Sequence, residues 1–145
     1  MKRFDFPLER VRRWRAEQAN LQELKLRQFI AAKEGFEAAK REAGAEGRRV
    51  QEEVLARPRL EGRELQTLDA YLAHVQSHIA DLDGRARQCE AQIVKQRQRV
   101  MEARRQFELL DRLRAAALAE WQAASNKEQE DLAAELFLAK SRRNL

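Results

Sequence analysis

His74 and His78 stand four residues apart, the spacing that places two imidazoles on one helix face where they could chelate a metal ion. The chain has only these two histidines and one cysteine, so no second pair completes a tetrahedral set, and both read as surface histidines. Cys89 falls on an apolar stripe described below and reads as a small core residue. Glycine-rich phosphate loops and the HExxH and GxSxG motifs are absent. The carboxylates mostly lie three or four residues from an arginine or lysine, the spacing of solubilising ion pairs and not of a catalytic dyad. The reading is therefore of a protein that is not an enzyme, with no catalytic residue, metal, cofactor or small-molecule substrate. What remains is basic. Arg10, Arg12, Arg13 and Arg15 form one run, and Arg85, Arg87, Lys95, Arg97, Arg99, Arg104 and Arg105 form another, relieved by Glu90 and Glu102. Such runs attract nucleic acid, an anionic membrane or an acidic protein surface, and they also form the solvated flanks of coiled coils.

The elements that must position these residues follow from composition. The 145 residues are 37% charged and 43% apolar, with five glycines, two prolines and a single threonine, Thr67. Strong helix formers dominate, and too few β-branched residues and turn formers are present for a sheet protein. A mean hydropathy of -0.76 with 6% aromatics suits a narrow apolar seam and not a thick core. The net charge is +5, and residues 1–60 account for all of it, with 15 Lys/Arg against 10 Asp/Glu. One cysteine allows no internal disulfide, and no run approaches the ~20 apolar residues of a membrane span. The N-terminus is basic but lacks the apolar stretch of a signal peptide, so a soluble, cytoplasmic chain is expected.

Residues 56–62 hold Pro58 and Gly62 and make the one convincing break. Beyond it, counting alternately by three and four from Leu65 passes through Leu68, Leu72, Val75, Ile79, Leu82, Ala86, Cys89, Ile93, Gln96, Val100, Ala103, Phe107, Leu110, Arg114, Ala117, Trp121 and Ala124. All but Gln96 and Arg114 are apolar, which predicts a long left-handed supercoil with a partner helix. A helix of about 80 residues would run roughly 120 Å. The first helix is less regular. Leu8 and Val11 start a stripe, Trp14, Leu21 and Leu24 follow in a shifted frame, and Phe29, Ala32, Phe36, Ala39 and Ala43 are again spaced four and three, with a frame change near residues 25–29. The predicted fold class is all-α: one coiled-coil domain over residues 1–145, a long antiparallel helical hairpin with the second helix longer. Helix one spans about residues 7–55, with Pro7 in its first turn; the turn spans about 56–62 and helix two about 63–142.

A turn centred near residue 60 sets position i opposite roughly 120 minus i. Arg10–Arg15 should then meet Lys95–Arg105, and residues 113–145 should extend past the first helix. Apolar groups there, among them Leu118 and Trp121, need cover from the chain end, another subunit or another protein. Tyr71 lies off the best stripe near the turn, as either a protein contact or padding for the seam edge. Two functions fit these features: a coiled-coil adaptor that docks on partners, or a basic helical nucleic-acid binder. Nucleic acid is disfavoured because Trp14 alone interleaves an aromatic with the basic runs.

The opening Phe4-x-Phe6-x-Leu8-x-x-Val11-x-x-x-x-Arg15, with Glu17 following, resembles the start of the FliJ family, small coiled-coil proteins of the flagellar type III export apparatus. Phe107-Glu108-x-Leu110-x-Arg112-Leu113-Arg114 and Lys127-Glu128-Gln129-Glu130-Asp131-Leu132-Ala133 are similar to segments that family members carry in their second half. The resemblance implies a stalk that binds the hexameric export ATPase, contacts the cytosolic domain of the membrane export gate, and engages export chaperones. It implies a cytoplasmic protein held peripherally at the inner face of the cell membrane, at the flagellar base; virulence-type secretion systems use an analogous stalk. Fitted to it, Arg10, Arg12, Arg13, Arg15, Arg97, Arg99, Arg104 and Arg105 become the ATPase-binding candidates, and Val50, Tyr71 and Val75 the gate-contact candidates.

Overall fold

Between Glu9 and Leu55 no proline interrupts the chain, and between Gly62 and Arg143 there is again none, so nothing opposes two uninterrupted helices. The computed structural model describes residues 2–144 and contains them: α1, Glu9–Leu55, 47 residues, and α2, Gly62–Arg143, 82 residues. They pack against each other as an antiparallel hairpin, all-α among the described residues, with the second helix longer.

The helix ends follow local chemistry. Helix α1 begins two residues later than the sequence suggests. The Phe6 carbonyl accepts the Glu9 N–H at 3.1 Å, which leaves Pro7 in a turn ahead of the helix and not inside its first turn. The Leu8 carbonyl then accepts the first helical bond, from Arg12 N–H at 2.9 Å, and Glu9 supplies negative charge to the first turn. At the other end Pro58 biases Arg57 out of the helical region and α1 stops. Helix α2 restarts where the Glu61 carbonyl accepts from Glu64 and Leu65, and Arg57 lies 3.7 Å from Glu64 across the loop. Lys140, Arg142 and Arg143 complement the dipole in its last turn.

The packing falls into two units. One joins the residues up to Asn20 with those from Met101 onward; the other is Leu21–Val100. In the second unit Leu68, Leu82, Ala86, Ile93 and Val100 are the buried apolar positions of α2. Of the whole stripe counted from Leu65, only Leu65 and Ala124 are exposed. Gly47 is buried because the helices come close there: a Cβ on it would sit 3.1 Å from Val75 Cγ1. Gln96 is the most buried side chain, 1% exposed, and its amide donates to the Gln22 carbonyl at 2.9 Å and to Gln22 Oε1 at 2.7 Å.

Ion pairs flank this seam. Lys33 Nζ lies 2.6 Å from Glu90, and Lys40 Nζ 3.1 Å from Asp83, which also accepts from Arg87. The sequence rule put residue 80 opposite Lys40; the partner is three residues further on. Side chains lean toward their own helix N-terminus, away from the turn on α1 and toward it on α2. A contacting pair therefore draws its α2 member from further along the chain.

Helix α1 departs from expectation. Leu8, Val11, Trp14, Leu21 and Leu24 are all more than 40% exposed. One line of partly or fully buried positions runs through Glu9, Arg12, Ala16, Ala19, Glu23, Leu26, Ile30, Lys33, Glu37, Lys40, Gly44 and Gly47, alternately three and four apart with no frame change. Of the stripe expected over residues 29–43, Phe29, Phe36, Ala39 and Ala43 are half-buried beside that line and Ala32 is exposed. In the first turns, small residues and the aliphatic stems of charged ones do the packing expected of Leu8, Val11 and Trp14.

In the first unit the expected overhang from residue 113 is shorter. The non-helical residues 2–6 continue the cover where α1 ends. Phe6 is buried, Phe4 packs edge-on against Trp121 at 5.9 Å, and the Trp121 indole N–H donates to the Lys2 carbonyl at 3.1 Å. Of the chain end, another subunit or another protein, it is the chain's own beginning that covers Trp121. Past the buried Ser125, every described residue is exposed.

Candidate functional site

No three His, Cys, Asp or Glu among the described residues form a group that could hold a metal ion, and no described helix is long and apolar enough to cross a membrane. His74 and His78 are exposed on α2, and Cys89 is half-buried in the seam. The surfaces that remain are the basic run of the first unit and the groove beside the turn in the second.

The arginines of the first run divide by the face of α1 they occupy. Arg12 points inward: its Nε and Nη2 lie 3.0 and 2.9 Å from Asp111 Oδ1, its Nη1 3.1 Å from Glu9, and its guanidinium over the Phe107 ring at 5.4 Å. The hydrogen bond to Asp111, with Glu9 adding to it, raises the Arg12 pKa above its ordinary value. Arg114 completes this cluster, 3.4 Å from Glu9 Oε2 and over the Phe4 ring. Arg15 donates to Gln106 of α2 and lies 4.7 Å from the Trp14 ring centroid. Arg12 and Arg15 both fasten α1 to α2, and the charge of Arg12 is paired with carboxylates within the fold.

Arg10 and Arg13 point outward. Arg13, 75% exposed, pairs with Glu9 on its own helix, at 3.3 Å. Beside them stand Val11 and Trp14, also exposed. The first turns of α1 thus present an outward face on which two cations, Arg13 and Arg10, adjoin two apolar groups, Trp14 and Val11. Sequence periodicity assigned Val11 and Trp14 to the seam; the unbroken heptad through Glu9, Arg12, Ala16 and Ala19 is the signal that would have placed them outside.

Of the second run, Arg104 and Arg105 belong to the same unit, and the Arg15–Gln106 bond brings the two segments together. Arg105 lies 3.5 Å from Glu102. Arg97 and Arg99 belong to the other unit. There Arg97 borders a shallow groove with Ile30, Lys33, Glu37 and Glu90, and the Lys33 hydrogen bond holds the Glu90 carboxyl below its ordinary pKa.

The groove beside the turn is lined by Val50, Val54, Thr67, Leu68 and Tyr71, with Arg57, Arg63 and Glu64 at its rim. Val50 and Tyr71, the first two gate-contact candidates, share it, each half-buried. Tyr71 is neither fully exposed nor pure padding: it forms one wall. Val75, the third, is not part of the lining; it packs against Gly47 in the seam. Val54 and Thr67 were not singled out from sequence and Leu68 was read only as a seam residue, although Val54 and Leu68 each lie three or four residues from Val50 or Tyr71.

No known family model, curated protein or solved structure matches the chain.

Proposed function

We propose that this protein is a FliJ-like stalk of a flagellar type III export apparatus, an adaptor with no chemistry of its own that links the hexameric export ATPase to the membrane export gate and to export chaperones. The observation that carries the reading is the helical hairpin whose second helix outruns the first, together with the Phe4-x-Phe6 opening. In that opening each aromatic has a packing role, Phe6 buried and Phe4 on Trp121, while Val11 and Arg13 are left outward for a partner.

In this reading the outward face of Arg10, Val11, Arg13 and Trp14 meets an acidic surface of the ring. Charge there steers encounter and fixes orientation, and the exposed indole supplies buried area on docking. The turn groove of Val50, Val54, Leu68 and Tyr71 receives an apolar side chain of the gate's cytosolic domain. The protein works where ring and gate meet, peripherally at the inner face of the membrane.

The test is co-sedimentation with a hexameric export ATPase at physiological salt. Wild type should bind, and the triple variant Arg10→Glu, Arg13→Glu, Trp14→Ala should bind at least tenfold more weakly with unchanged helicity. Arg12 is left intact because it holds the fold together. Failure of the wild type to co-sediment, or equal binding by the variant, refutes the assignment. For the gate, Tyr71→Ala should weaken binding of the purified cytosolic domain; undiminished binding removes the groove from the proposal.

A further inference from the structure

The seam does not stop where its cover stops. Lys2 of the N-terminal segment lines a shallow site with Trp121, Ala124, Ser125 and Glu128. Helix α2 continues for 18 more residues, Asn126 to Arg143, all exposed. Stepping by three and four from the buried Ser125 leads through Gln129, Leu132 and Leu136 to Ala139, on the same face of the helix. Ala133 and Phe137 widen that stripe on one side. Leu132, Leu136 and Phe137 are 54%, 65% and 72% exposed. A strip that continues a buried seam and is itself bare is an interface without its second half.

Charge says what the second half is. The segment carries Glu128, Glu130, Asp131 and Glu135 against the single Lys127 in its first ten residues, and Lys140, Arg142 and Arg143 near its end. Acidic first and basic last, it is complementary to itself reversed. A parallel copy would set acids against acids and bases against bases. An antiparallel copy about a two-fold axis near residue 134 sets Leu132 opposite Leu136 of the other molecule. It also brings Glu128, Glu130 and Asp131 of each within reach of Lys140, Arg142 and Arg143 of the other.

We propose that residues 126–143 are a self-association site, pairing antiparallel with the same segment of a second copy of this chain. The contact is isologous, built from Leu132, Leu136 and Ala139 and bordered by two symmetry-related clusters of opposite charge. It is short, so association is weak and concentration-dependent. The inference does not depend on the stalk reading, because its test reads mass and needs no ATPase.

The experiment is sedimentation equilibrium of the full chain from about 5 to about 500 µM at low and high salt. The mass should rise from 17.0 kDa toward twice that value, and added salt should weaken the dimer several-fold. Leu136→Asp should weaken it at least tenfold without loss of helicity, since Leu136 is 65% exposed on α2. The sharper test uses two charge variants: one with Lys140→Glu, Arg142→Glu and Arg143→Glu, the other with Glu128→Lys, Glu130→Lys and Asp131→Lys. Each alone should remain monomeric, and an equal mixture should form a 1:1 heterodimer. The proposal is overturned if wild type stays monomeric up to about 500 µM, if Leu136→Asp dimerises as wild type does, or if the mixture fails to pair. A monomeric result hands the strip to a different protein.

Discussion

Two glycines less than one turn apart on α1 should answer the same substitution in opposite ways. Replacing glycine by alanine in a helix gains about 1 kcal/mol from lost unfolded-state freedom, and both Gly44 and Gly47 have ordinary helical backbones. At Gly44 a new Cβ would meet Ile79 Cδ1 at 3.9 Å and Arg48 Nη1 at 3.8 Å, normal contact distances, so the gain survives. At Gly47 the Cβ would lie 3.1 Å from Val75 Cγ1 and 3.8 Å from two further atoms of that side chain. Carbon atoms prefer about 3.5–4.0 Å, and a β-branched valine in a helix has one good rotamer, so Val75 cannot swing aside. Relief requires the helices to part or Val75 to leave its rotamer, an overpacking cost of about 1–3 kcal/mol. Gly44→Ala should therefore stabilise by about 1 kcal/mol, and Gly47→Ala should destabilise by up to about 2 kcal/mol. At roughly 3 °C per kcal/mol for a chain of this size, their melting temperatures should straddle wild type by several degrees. Circular dichroism at 222 nm, with thermal and urea transitions, reads both. A double-mutant cycle sharpens the assignment: Val75→Ala makes room, so Gly47→Ala should regain the helix-propensity benefit in that background. If Gly47→Ala stabilises wild type as much as Gly44→Ala does, the close approach of α1 and α2 at Val75 is not there.

The division of the arginines predicts that Arg12→Glu lowers stability by about 2 kcal/mol, through loss of a paired and stacked guanidinium and repulsion with Asp111 and Glu9, while Arg13→Glu changes it by under about 0.5 kcal/mol; equal melting shifts for the two would contradict the inward placement of Arg12. Phe6→Ala should release the N-terminal segment at a local cost of about 2 kcal/mol, and in a Trp14→Phe background Trp121 emission should shift to the red and become more accessible to acrylamide; an unchanged spectrum would mean that residues 2–6 do not cover that indole. The Arg87 and Lys40 hydrogen bonds hold Asp83 below its ordinary pKa, and Lys33 does the same for Glu90. The folded state thus binds fewer protons than the unfolded one. The stabilisation is complete above the ordinary carboxylate range near pH 4 and is lost as pH falls through it toward the depressed folded values. Asp83→Asn with Glu90→Gln should melt lower than wild type at pH 7 and lose less on going to pH 3; parallel acid limbs would rule out these pairs as the source.

Legibility differed sharply between the helices. The seam of α2 could be read directly because Leu68, Leu82, Ile93 and Val100 recur at heptad spacing and bury as apolar residues do. Its partner could be read only in part: Phe29, Phe36, Ala39 and Ala43 are half-buried as expected, whereas the first turns are not packed by the residues expected. The inward line of α1 runs through Glu9, Arg12, Glu23, Lys33, Glu37 and Lys40, whose charged heads reach the seam's edge while their stems fill it. The large apolar residues Val11, Trp14 and Leu21 instead lie on the exposed face, so the expected frame change near residues 25–29 is absent. The N-terminal cover was invisible for another reason: an extended stretch carries no periodicity, and the Phe4–Trp121 contact spans almost the whole sequence. Among the candidate sites, the turn position set Arg10–Arg15 opposite Lys95–Arg105, whereas the partners found on α2 lie further along, at Gln106 for Arg15 and Asp111 for Arg12. That Arg12 would be neutralised by Asp111 was not legible in the sequence, because opposite-charge pairing across helices depends on register to within a few residues.

Gln96 bears on how the two helices behave as neighbours under load. Apolar knobs are interchangeable, and a zipper made only of them can settle one heptad out of place at modest cost. A slip of seven residues would carry the Gln22 carbonyl about 10 Å from the Gln96 amide and strand a buried donor, an expense of about 1–3 kcal/mol at a single point. This one side chain acts as a detent: axial sliding of α1 along α2 has to break it, whereas bending and twisting do not.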